Sequence, residues 1–175
     1  MLGTSRSRAH EPGADPAVLE LSFAFSPLGI TYLAMLFVPN ALWARLRSPE
    51  AAPTSSKENS LLLALERVGQ VATTVAALVS PGSEPAGPAR LTCLGASLVA
   101  MVLYELSWLR YFRTDRTART LYRSLGPVPL PLAVLPVLGF LLLAVYEVHP
   151  LLLAAVVVLG VGHVSIHSQH ARSLR

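Results

Sequence analysis

Five apolar runs, each close to the roughly 20 residues that a helix needs to cross a hydrocarbon core, succeed one another along this chain. They lie at about residues 17–38, 60–80, 91–109, 128–146 and 151–167. Composition points the same way: 53% of residues are hydrophobic, 14% are charged and the mean hydropathy is +0.53. A soluble domain carries about 25% charge and leaves enough surface in water to need more polar cover than this. The fold class expected is all-α, a polytopic membrane helix bundle with about five transmembrane helices over residues 17–170.

The connections fit that count. Segment 81-PGSEPAGPAR-90 is a turn by its Pro and Gly content, and 48-SPEAAPTSSKEN-59 is a polar loop. Only Glu147, Val148, His149 and Pro150 separate the last two runs, which forces an antiparallel hairpin. Pro27 and Pro136 fall inside runs, where a bilayer helix tolerates a kink if neighbours satisfy the freed carbonyls. Pro127, Pro129 and Pro131 suit the loop and first turn of the fourth helix. Residues 1–16, rich in Gly, Pro, Ser and Ala, read as a disordered tail, and 171–175 as a short basic one. No internal repeat is found.

Thirteen Arg and one Lys give a net charge of +4. Set between membrane-length runs, they imply orientation and attraction to anionic headgroups rather than nucleic acid. With the N-terminus outside, ten basic residues fall on inner segments and three on outer ones, so the expected topology is N-out, C-in. Arg6 and Arg8 before an apolar run ending near 41-ALWA-44 also have the outline of a cleaved signal peptide. That run exceeds the usual length, and cleavage would strand Arg45 and Arg47 outside, so an uncleaved span is preferred. The single cysteine, Cys93, can form no intrachain disulfide and reads as packing.

Ionisable residues at membrane depth mark functional candidates. Glu66 and Arg67 lie roughly 9 Å inside the second run, counted at about 1.5 Å per residue, and Gln70, Thr73 and Thr74 continue their stripe. Glu105 lies at similar depth in the third run, so Glu66, Arg67, Gln70 and Glu105 are candidate lining of a polar, substrate-binding cavity in the cytoplasmic half. Arg67 would attract an anionic group, and Glu66 and Glu105 could exchange protons. A cross-helix ion pair between Arg67 and Glu105 is the structural alternative. Tyr104, Trp108 and Tyr111, with Asn40 and Trp43, read as an interfacial aromatic belt.

His163, His167 and His170 fall within about a 60° arc of one helix face at 100° per residue. They could ligate a transition metal, with Glu66 or Glu105 completing the set, could switch with pH, or could be a polar helix end in the headgroups. No cofactor is implied beyond that metal at most. In the loop 110–125, Arg110, Arg113, Arg116, Arg119 and Arg123 recur every three or four residues, and as a helix they make a basic stripe for lipid headgroups. No phosphate-binding glycine loop, dinucleotide fingerprint, nucleophile elbow, HExxH or CxxC motif occurs.

The segments 65-LERVGQV-71, 104-YELSWLRYF-112, 127-PVPLPLAVLPVL-138 and 161-VGHVSIH-167 resemble those of small, uncharacterised bacterial integral membrane proteins, over nearly the whole chain from the first run onward. That resemblance implies a short helix bundle in a bacterial plasma membrane and carries over no activity and no site residue. The rich Arg, Ala, Pro and Gly content suggests a GC-rich bacterial genome. The function expected from the residues is small-molecule binding or transport. The alternatives are a His-ligated metal enzyme acting on lipid, or a non-catalytic subunit of a membrane partner. A homodimer fits each reading, and Gly95, Ala96 and Ser97 are small enough for close helix contact.

Overall fold

The computed structural model describes residues 23–46, 59–81 and 85–174. The tail at 1–16, the start of the first apolar run, Arg47 and Lys57 lie outside them. The chain is mostly helical: β1 (Phe23–Phe25), α1 (Pro27–Leu46), α2 (Ser60–Ala77), β2 (Val79–Pro81), α3 (Pro88–Phe112), α4 (Ala118–Leu121), α5 (Pro131–Tyr146) and α6 (Pro150–Ser173). Of these helices, α1, α3 and α6 are long and apolar enough to cross a membrane. The 16 residues of α5 are as apolar but shorter.

The helix α1 starts ten residues later than the apolar run that suggested it. Its start has a local cause. The Ser26 hydroxyl accepts from the Gly29 amide at 2.9 Å, and Pro27 follows as first helical residue, where its missing N–H costs nothing. Pro27 is therefore a helix start, not a kink, and the proline inside α1 is Pro39. Upstream, β1 pairs antiparallel with β2, a small sheet that the all-helical expectation did not contain. Pro136 lies inside α5 as expected.

α2 packs along α6, α3 along α5, and the α5–α6 hairpin joins the two pairs, while α1 leans on α2 and α3. Glycines set the closest approach. A methyl group on Gly69 would lie 2.5 Å from the Leu159 Cα, and one on Gly162 would lie 2.7 Å from the Leu62 carbonyl oxygen. Backbones so near are what small residues permit between membrane helices. By contrast, the space around Gly95 is open, and Ser97 turns inward to its own bundle.

The outer surface is far more apolar than that of a soluble fold. Val68, Val71 and Val75 on α2, Val99 and Val102 on α3, and Val157 and Val161 on α6 face outward, each at least half exposed. Tyr32, Thr73, Ser97, Tyr104 and Ser107 are buried. An apolar exterior this continuous suits lipid, not water. Tyr104, Trp108 and Tyr111 also belong to the core, at 1%, 4% and 2% exposure, and so form no interfacial belt. Their i, i+4, i+7 spacing puts them on one face of α3, and that face turns inward.

At the β1–β2 end, the hairpin turn is tied down by its own polar residues. His149 caps α6 by accepting from the Leu152 amide through Nδ1, so its Nε2–H donates to the Ala76 carbonyl of α2 at 3.1 Å. Glu147, 4% exposed, accepts from the Ser26 hydroxyl at 2.9 Å through Oε1, while Oε2 has no hydrogen-bond partner. Burial holds the Glu147 carboxyl above its ordinary value of 4.5, against opposing effects of the Ser26 bond and His149. The folded chain thus binds this proton more tightly than the unfolded one. Stability attached to it is complete in acid, falls as pH rises from 4.5 through the raised value, and stays lost above. Glu147→Gln keeps an acceptor for Ser26 and removes the charge. We expect it to unfold at higher temperature than wild type at neutral pH, by about 1 kcal/mol, with the gap closing in acid. Unfolding temperature against pH for both proteins checks this, and a variant weaker at neutral pH would contradict it.

Candidate functional site

The opposite end collects the histidines and the arginine loop. There α3 ends at Phe112, Arg113 caps it, and Arg116 takes a left-handed conformation at φ 55° before the four-residue α4. The continuous basic helix expected across 110–123 therefore does not form. Three bonds enforce the fold-back. The Tyr111 hydroxyl donates to the Arg116 carbonyl at 2.7 Å, and Arg110 donates to the carbonyls of Ser124 at 2.8 Å and Arg123 at 2.6 Å. Arg110 is thus engaged by the loop backbone, whereas Arg113, Arg119 and Arg123 are exposed at this end.

Folded back, α4 and Tyr122 cover a cavity of about 340 Å³ between α1, α2, α3, α5 and α6. That volume lies in the range of small-molecule sites. Leu36, Phe37, Pro136, Val137, Phe140 and Leu159 form its apolar wall. Asn40, Gln70, Thr73, Thr74, Tyr104, Tyr122, His163 and His167 bring polar atoms to it. Thr73 is 2% exposed, and its hydroxyl has no hydrogen-bond partner. Asn40 donates to the Tyr104 hydroxyl at 2.8 Å and joins α1 to α3 at the rim.

The expected residues separate into two groups. Gln70 lines the cavity, and Glu66 lies just behind its wall, its Oε1 2.6 Å from Nδ1 of His163. Both partners are largely shielded, at 13% and 19% side-chain exposure, and the contact is an ion pair when His163 is protonated. Arg67 points outward and forms no ion pair with Glu105. The reason is packing: α2 lies on α6 and α3 on α5, so equal depth did not bring these two charges together. The Glu105 Oε1 is buried with no hydrogen-bond partner, and Glu105 does not line the cavity.

The histidines divide as well. The rings of His163 and His167 lie 4.3 Å apart, and with Glu66 they bring one ligand atom each within 4.8 Å of the others. His170 stands outside this group: its Nδ1 is 3.3 Å from the Tyr122 hydroxyl, so it ties α6 to the cover. Trp43, Trp108 and Asn40, which the sequence suggests for an interfacial belt, line the cavity, as does Tyr122. An asparagine just past the first apolar run, before Ala41, Leu42 and Trp43, is the sign in the sequence that this end of the helix has an inward polar face. No protein-family model, curated protein or solved structure matches this chain.

Proposed function

We propose that this chain is a five-span bacterial plasma-membrane protein, N-terminus outside and C-terminus inside, that binds or passes a small amphiphilic molecule through its inner-half cavity. The cavity carries the reading. Its apolar wall suits an acyl or ring portion, and the Gln70, Thr73 and histidine side suits a polar group. Thr73 supports this most directly, since a buried hydroxyl without a partner costs about 1–3 kcal/mol that a bound polar group would offset. The exposed arginines at the same end favour the anionic, cytoplasmic leaflet.

Both tryptophans of the chain line the cavity, so they report on it. In Trp43→Phe protein the remaining indole, Trp108, is 4% exposed and out of reach of surrounding detergent. A brominated fatty acid in unbrominated detergent is expected to quench Trp108 saturably. Ala133→Phe, which fills the cavity from a 2% exposed position on α5, is expected to reduce that quenching several-fold. No saturable quenching, or quenching that ignores Ala133→Phe, would rule the reading out.

A further inference from the structure

We propose that Glu66, His163 and His167 are the ligands of a divalent transition metal, held in the wall of the cavity with its remaining coordination positions facing inward. The donor set is the first argument. Two imidazoles and one carboxylate are a recurring ligand group for Zn²⁺ and for non-haem Fe²⁺ or Mn²⁺, and three protein ligands leave room for water or substrate.

Geometry is the second argument. His163 and His167 stand one turn apart on α6, with rings 4.3 Å apart. The Glu66 carboxylate arrives from α2 at 2.6 Å from His163. The three donor atoms lie within 4.8 Å. Metal bonds of about 2.0–2.1 Å at tetrahedral angles would set the donors roughly 3.3 Å apart, which opens the 2.6 Å Glu66–His163 contact and closes the wider separations.

The backbone explains why the carboxylate arrives. Gly162 lets α2 pass so close that a methyl group there would lie 2.8 Å from the Cα of Glu66 itself. A larger residue next to His163 would move the third ligand away. Both histidines line the cavity, so the open positions of a bound metal meet whatever the cavity holds. His170, engaged with Tyr122, is no part of the site. The site does not depend on an amphiphile entering the cavity, because metal alone probes it.

The test uses full-length protein in detergent, without a polyhistidine tag and stripped with chelator, titrated with Co²⁺. One equivalent is expected to bind with the intense visible bands of a four- or five-coordinate ion, and Zn²⁺ is expected to displace it. His163→Gln and His167→Gln should each weaken Co²⁺ binding about 100-fold and Glu66→Gln about tenfold, the range over which coordination-shell changes act. His170→Ala should change it less than about twofold, on the same scale. A weak octahedral spectrum in the wild type overturns the proposal, as does His170→Ala acting as strongly as His167→Gln. Where a glutamine variant fails to fold, the wild type decides alone. Saturating Zn²⁺ must raise its unfolding temperature, and that of His170→Ala equally, and no rise overturns the site. Retention of the Co²⁺ bands by Ala133→Phe, together with loss of fatty-acid quenching, separates the metal from the cavity ligand.

Discussion

Replacing Gly162 by valine is expected to lower the unfolding temperature in detergent by roughly 10 °C, from an overpacking cost of about 3 kcal/mol. The added branches would meet the α2 backbone at the Leu62 carbonyl and at Glu66. Neither can rotate away as a side chain would, so α2 and α6 must separate. Separation loosens the longest helix contact in the bundle and takes Glu66 from His163. Gly95→Val is the matched control, since the space beside Gly95 is open. It carries the same helix-propensity change without the collision and should leave stability nearly unchanged. Equal stability of the two variants, followed by thermal unfolding in one detergent, would show that α2 and α6 do not approach as described.

The second large effect is expected at Ser97. This fully buried residue of α3 donates to the Gly139 carbonyl of α5 at 2.6 Å, so its 2.9 Å contact with Tyr32 of α1 must be a bond it accepts. One hydroxyl therefore joins three helices, and α1 has few other polar ties to the bundle. Ser97→Val should cost about 2 kcal/mol, because it leaves the Tyr32 hydroxyl buried without a partner. Deleting both partners together should cost less than the separate deletions imply. Tyr32→Phe with Ser97→Ala is thus expected to be more stable than the sum of the two single variants by about 1 kcal/mol. Strictly additive costs would mean that the Tyr32–Ser97 bond contributes nothing.

How much of this was legible in the sequence depended on which physical signal each feature leaves. Length and apolarity leave a strong one. The second, third, fourth and fifth apolar runs coincide with α2, α3, α5 and α6 to within a few residues at most ends, the C-terminal end of α6 excepted. The first run misplaced α1 because hydropathy does not see a cap. The pair Ser26–Pro27, which starts the helix, was read as part of its interior. Position along the bundle leaves a signal too: Glu66, Gln70, His163 and His167 gather at one end. Rotation was not. A helix surrounded by lipid is apolar on most of its circumference, so the pattern that orients a soluble helix is nearly absent. That is why the sequence alone suggests Glu105 beside Arg67 and a belt at Tyr104 and Trp108. Gly69 and Gly162, each within a run, are the sign in the sequence of the α2–α6 contact.

Sided cysteine labelling distinguishes a cavity that opens at the inner face from one that opens at the outer face. With Cys93→Ala removing the single native thiol, Gly87→Cys and Ser124→Cys each place one exposed thiol at opposite ends of the bundle. A membrane-impermeant maleimide added to intact bacterial cells is expected to label the Gly87→Cys protein at once. The Ser124→Cys protein should react only after the membrane is opened. Labelling of both proteins in intact cells, or of Ser124→Cys alone, would contradict the topology and with it the inward-opening cavity.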